Sequence, residues 1–188
     1  MLRTALIPLF FVVSVLGVAA VSAQTSGKKS PAAAPWETRL LEELPALGHR
    51  NWIVVADSAY PAQISPGMEI VVSGEDHLVV LDKVLKALDA SRHVRPKVYL
   101  DKELSSLDDD LAPGIEALKA RLDATLKGRE VKPVLHEELI ARLDQVAKTF
   151  RILMIKTNLA LPYTSVFMEL DCGYWPPEAE QKLRQKMR

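Results

Sequence analysis

Short apolar runs alternate along this chain with longer stretches in which leucine, isoleucine or valine returns every three or four positions. The run Trp52-Ile53-Val54-Val55-Ala56 is β-branched and bracketed by Gly48-His49 in front and Asp57-Ser58-Ala59-Tyr60-Pro61 behind. It predicts a strand buried on both faces of a parallel sheet. Before it, Leu40, Leu41 and Leu44 predict a helix over 38–44, with Gly48 placed to cap its carboxyl end. After the loop holding Pro61 and Pro66, Met68-Glu69-Ile70-Val71-Val72 predicts a second strand, and Leu78, Leu81, Val84, Leu85 and Leu88 line one face of a helix. The same reading gives a strand over 96–100, a helix built on Ile115, Leu118, Leu122 and Leu126, and a helix over 137–149. Strands over 150–156 and 165–170 follow, then a short charged helix from Pro176. Alternation of strands and helices predicts an α/β fold of three layers, α/β/α, around a largely parallel sheet.

The amino terminus has another character. Arg3 precedes an apolar segment from Ala5 to Val18, and Val21-Ser22-Ala23 is a small-residue cleavage pattern. This predicts a secretory signal peptide over 1–23, Gln24 as the mature amino terminus, and an exported, periplasmic protein with no membrane attachment after cleavage. An uncleaved anchor is the alternative, but the apolar segment is short for it and carries Pro8. Residues 24–35 are Gln, Ser, Thr, Gly, Lys, Ala and Pro, too poor in apolar surface to fold, and predict a disordered leader. Residues 36–188 then make one domain of ordinary size.

Charge changes the picture only by exclusion. The 24 basic and 24 acidic residues balance, giving no basic surplus for nucleic acid. A single cysteine, Cys172, allows no internal disulfide and reads as a small apolar residue at a strand end. The chain has no Gly-rich phosphate loop, no paired-Cys or His-x-x-x-His metal spacing and no Gly-x-Ser-x-Gly elbow, so no metal or cofactor is expected. Asp108-Asp109-Asp110 reads as a solvated helix start, since no glycine turn or downstream Glu frames a calcium loop.

Four histidines remain. His77 and His93 fall in polar surroundings and are expected to face solvent. His49 stands at the mouth of the first strand, either as a cap on the carbonyls of the preceding helix or as a site residue. His136 falls near a helix amino terminus, which disfavours the imidazolium form; it is either a surface residue or a proton-exchanging group. Asp57 is at the carboxyl end of a strand, the edge where open α/β sheets place ligand crevices, although an Asp there also serves as a turn former.

Three segments together resemble the RbsD/FucU family of ribose pyranases and fucose mutarotases. They are "LGHRNWIVVADSAYP", "LHEELIARLDQVAKTF" and "FRILMIKTNLALPYTSVFMELDCGYW", and the likeness extends over about 38–175. It implies catalytic roles for His49, His136 and Asp57, and substrate binding by Tyr163, Ser165 and the strand-ending Lys156. It further implies interconversion of ring forms of a free monosaccharide by histidine-mediated proton exchange, without cofactor, in a homo-oligomer of five or ten copies. The chain departs from the family at Ser165, where Asn is usual, and in its export segment, since family members are cytoplasmic. A monosaccharide-binding module or a structural ring former without catalysis is the alternative reading.

Overall fold

The computed structural model describes residues 36–188; the expected signal peptide and leader lie outside these residues. Its elements are α1 (Trp36–Glu43), β1 (Trp52–Ala56), β2 (Met68–Val72), α2 (His77–Ala90), β3 (Val94–Asp101), α3 (Ile115–Thr125), β4 (Val131–Val134), α4 (His136–Val146), β5 (Ile152–Lys156), β6 (Val166–Cys172) and α5 (Pro177–Lys186). Short 3-10 turns follow α1 at Leu44–Ala46 and β3 at Lys102–Ser106.

The strands form one sheet in the order β2-β5-β1-β6-β3-β4. β5 runs parallel to β1 and β2, and β3 parallel to β4, while β6 is antiparallel to both β1 and β3. The largely parallel sheet anticipated from the alternation is therefore present, with one reversed strand inserted near its middle. Because β5 and β6 flank β1, the connection over 157–165 must arch across the carboxyl end of β1. It is stitched down there: Thr157 N–H donates to Ala56 O at 2.9 Å, Ser58 N–H to Leu159 O at 2.8 Å, and Asp57 N–H to Ser165 Oγ at 3.1 Å.

Every residue of β1 is buried, and strand alternation sends its side chains to two cores. Ile53 and Val55 join the apolar faces of α1, α2 and α3 on one side. Trp52, Val54 and Ala56 join Leu139 and Leu143 of α4 on the other. Trp52 also stacks on Tyr99 of β3 with ring centres 5.5 Å apart, under the Arg142 guanidinium. The sheet is thus sandwiched between helical layers, as expected. α5 buries none of its residues. Asp109 Oδ1 accepts the amides of Gly114 and Glu116 at the head of α3, so the acidic run lies in the turn leading into that helix rather than in its first turn. Cys172, half-buried, closes β6.

Several boundaries differ from expectation. β4 was not anticipated, because Pro133 removes a ladder donor; the strand tolerates it at the sheet edge, where only β3 pairs with it. Gly48 does not provide the left-handed cap of α1. Its amide bonds Asn51 Oδ1 at 2.7 Å, and the positive φ, 75°, falls on Arg50. Phe150 and Arg151 lie in the turn before β5 rather than in the strand. His77 and His93 are not solvent-facing. His77 is 1% exposed, with Nδ1 2.9 Å from Thr157 Oγ1. His93 Nε2 lies 3.2 and 3.1 Å from the carbonyls of Leu44 and Leu47. The cap anticipated as one reading of His49 is thus supplied by His93, just ahead of β3.

Candidate functional site

Open parallel sheets concentrate polar groups beyond the carboxyl ends of their strands, where backbone pairing stops and loops diverge. Here β1 delivers Asp57, β3 delivers Asp101, and the step from β4 into α4 delivers His136. Because β6 runs backwards, its beginning, with Tyr163 and Ser165 just ahead of it, reaches the same edge. Asp57, Tyr60, His136, Glu137 and Tyr163 line an open cleft of about 390 Å³ there, with Ala59, Pro61 and Pro162 as its apolar walls. Hollows of about 440 Å³ beside β2 and β5 and about 550 Å³ beside β3 are larger but contain no imidazole.

Asp57 is almost fully buried and rigidly held. Its Oδ2 accepts from Ser165 Oγ at 2.8 Å and its Oδ1 from the Ala59 amide at 2.9 Å. Ser165, itself fully buried, spends its hydroxyl on the side chain and amide of Asp57 rather than on the cleft. Lys156 is likewise engaged within the protein, its Nζ donating to Tyr60 O at 2.6 Å; neither residue lines the cleft. Of the three residues expected to bind substrate, Tyr163 alone faces it. Its φ of 57° holds a non-glycine residue in the left-handed region, a strained conformation that the arching loop must sustain. Its ring meets His136 edge to face, with centroids 5.3 Å apart.

His136 opens α4, whose preceding residue offers no side-chain cap. The cap comes instead from Glu103 in the turn after β3, whose two carboxylate oxygens lie 3.2 and 3.1 Å from the His136 amide. The ring packs against Tyr60 on one side and Tyr163 on another. Its Nδ1 lies 3.1 Å from Asp101 Oδ1, off the ring N–H axis, so the contact acts through charge more than as a well-aligned hydrogen bond. Burial pushes the Asp101 carboxyl up to about 6, against the opposing pull of His136. Burial likewise raises the Tyr60 phenol, with the charge of Asp101 adding to it, and its hydroxyl has no partner among the described residues.

His49 does not join this group. It precedes β1 at the amino edge of the strand, separated from Asp57 by the strand's length, about 17 Å for five residues. Its nearest carboxylate is Asp171, at 3.6 Å, and not Asp57. Burial pushes the Asp171 carboxyl up, but Arg95 and Lys97 outweigh it and hold it below its ordinary range.

Tyr60, Asp101 and Glu103 are the cleft-side residues that sequence reasoning missed. Asp101 carried the signal that singled out Asp57, an acidic residue closing an apolar strand, and Tyr60 lay within the quoted segment around it. Among the described residues no group of three or more His, Cys, Asp or Glu side chains is arranged to hold a metal ion.

The fold is similar to that of proteins of known structure. Bacillus subtilis RbsD, solved with D-ribose, is 19% identical, with a TM-score of 0.51, over 76% of this chain and 95% of that one. The fucose mutarotase of Streptococcus pneumoniae, solved with L-fucose, is 16% identical, with a TM-score of 0.49, over 73% of this chain and 95% of that one. A comparison with curated protein sequences gives no match. The sequence profile that matches runs over residues 36–172, from the first turn of α1 to the end of β6, and by that match the chain belongs to the RbsD / FucU transport protein family.

Proposed function

We propose that this protein interconverts the ring forms of a free monosaccharide by proton exchange, in an exported, periplasmic setting for which the segment ending Val21-Ser22-Ala23 argues. The observation that carries the reading is the convergence of Asp57, His136 and Tyr163 on one cleft with an imidazole at its wall. Ring opening needs a base for the proton of the anomeric hydroxyl and an acid for the ring oxygen. The C–O pair goes to the ring oxygen as the carbonyl forms, and closure from either face of the aldehyde reverses the exchange. Histidine suits both steps near neutral pH. Tyr163 offers a hydroxyl and an apolar ring face to the sugar, and Asp57, held by Ser165, offers a fixed acceptor for a sugar hydroxyl.

His49 fits this chemistry only through assembly. One copy carries Asp57 and His136 at the carboxyl edge of the sheet and His49 at the other, so a second copy must bring its own His49 to the first copy's cleft. A homo-oligomer, five or ten copies by family likeness, gives that arrangement. Saturation-transfer NMR on the purified protein with ribose, fucose and galactose tests the proposal. Exchange above the buffer rate for a reducing sugar is expected, and buffer-level exchange for all of them would overturn it.

A further inference from the structure

Among the described residues Asp101 has no hydrogen-bond partner at either oxygen, yet its side chain is fully buried, where a carboxylate without a partner is costly. The charged and titratable groups around it are His136 from α4, Glu103 from the following turn, and Asp57 and Tyr60 from the segment after β1. Three of these are acids. His136 is the one group that favours the ionised carboxyl. The pairing is also directional: Nδ1 is turned into the protein toward Asp101, whereas Nε2 is neither buried nor bonded and is left to the cleft that His136 lines.

Two carboxylates from one short stretch therefore hold one histidine, Glu103 on its amide and Asp101 beside its ring. A negative charge next to Nδ1 keeps the proton on that nitrogen and so leaves the lone pair on Nε2. When Nε2 accepts the anomeric proton, the same charge offsets the imidazolium that forms, and the charge falls away again when the proton passes to the ring oxygen. Asp101 itself neither gains nor loses a proton in the cycle.

We infer that Asp101 is a positioning residue for His136, fixing its proton on Nδ1 and presenting Nε2 to the sugar as the base; this rests on the mutarotase reading above. Two measurements on the full chain test it. Nitrogen-15 NMR of the unliganded wild type is expected to give the Nδ1–H tautomer for neutral His136, and Asp101→Asn is expected to shift that population. With ribose or whichever reducing sugar the wild type exchanges, Asp101→Asn is expected to lower kcat by about tenfold or more with KM within about twofold, and Asp101→Glu to restore part of it. An Nε2–H tautomer in the wild type would overturn the inference without any variant being needed. So would Asp101→Asn with unchanged kcat and pH profile. A wild type that exchanges no sugar would sink the functional reading instead, while the nitrogen spectra would still decide the Asp101–His136 relationship.

Discussion

Ser165 and Asp57 hold each other twice: the Ser165 hydroxyl donates to the Asp57 carboxylate at 2.8 Å and accepts the Asp57 amide at 3.1 Å, across the junction of β1 and β6. The hydroxyl that the sequence marked as a departure from the family is thus consumed in aiming the acid. Ser165→Ala leaves a buried carboxylate oxygen and a buried amide without partners, a loss of about 1–3 kcal/mol. Chemical denaturation should report that loss, and sugar exchange should slow with it. Undiminished stability would mean that water replaces the hydroxyl.

Replacing His136 by Gln is expected to slow sugar exchange by roughly a hundredfold or more, the usual range for one acid-base group, with folding unchanged. Exchange rates by NMR beside circular dichroism would check both halves. Asp57→Asn should also slow exchange, chiefly through sugar affinity.

If His49 acts in the cleft of a neighbouring copy, two inactive variants should rescue each other. His49→Gln and His136→Gln, unfolded together and reassembled in equal amounts, are expected to regain roughly a quarter of wild-type exchange, since that share of random pairings unites both native histidines. No recovery in mixed oligomers confirmed by mass spectrometry would confine each site to one chain.

The pH dependence of stability carries two opposed contributions. Burial moves the Asp101 carboxyl from 3.8 up to about 6, so stability present at low pH is lost as pH rises through that window, by about 3 kcal/mol. Burial moves His77 from 6.5 down to about 4, against the pull of Asp57 and Asp76, so its contribution, again about 3 kcal/mol, is present above 6.5 and lost on acidification toward 4. Between pH 4 and 6 the two nearly cancel. Asp101→Asn should therefore gain Tm relative to wild type as pH rises from 4 to 7, while His77→Leu should lose Tm relative to wild type over the same range. Differences that stay flat with pH would remove both assignments.

Cleavage after Ala23 is tested by mass spectrometry of protein expressed in a Gram-negative host, where Gln24 is the expected amino terminus. Intact Met1 in the membrane fraction would establish an anchor instead.

The elements whose apolar pattern is long or unbroken were legible in the sequence: β1, β2, α2, α4 and β5 lie where period and β-branching placed them. β4 was hidden by its four residues and Pro133. The reversal of β6 was hidden because a strand buried on both sides reads the same in either direction. The histidines show the limit most sharply. His93 sits between arginines in the sequence, yet its partners are carbonyls at Leu44 and Leu47, more than forty residues away. His77 looked polar in context but fills a buried position against Thr157. Asp57 and His136 share a cleft because β1 ends and α4 begins at one sheet edge. His49 does not share it, because a strand separates it from Asp57, a separation already implied by the five residues between Trp52 and Ala56.

The segment over 157–165 that arches across β1 is also the covalent link between the two strands flanking it, and Thr157, Thr164 and Ser165 are buried within it. Both ends of the segment are therefore fixed to the sheet. Releasing those ends would pull on the centre of the sheet, so the bonded amide of Thr157 should exchange with solvent as slowly as those of β1. On the mutarotase reading, sugar would enter and leave past α4 and the Pro61 turn, through an opening already formed in the free protein.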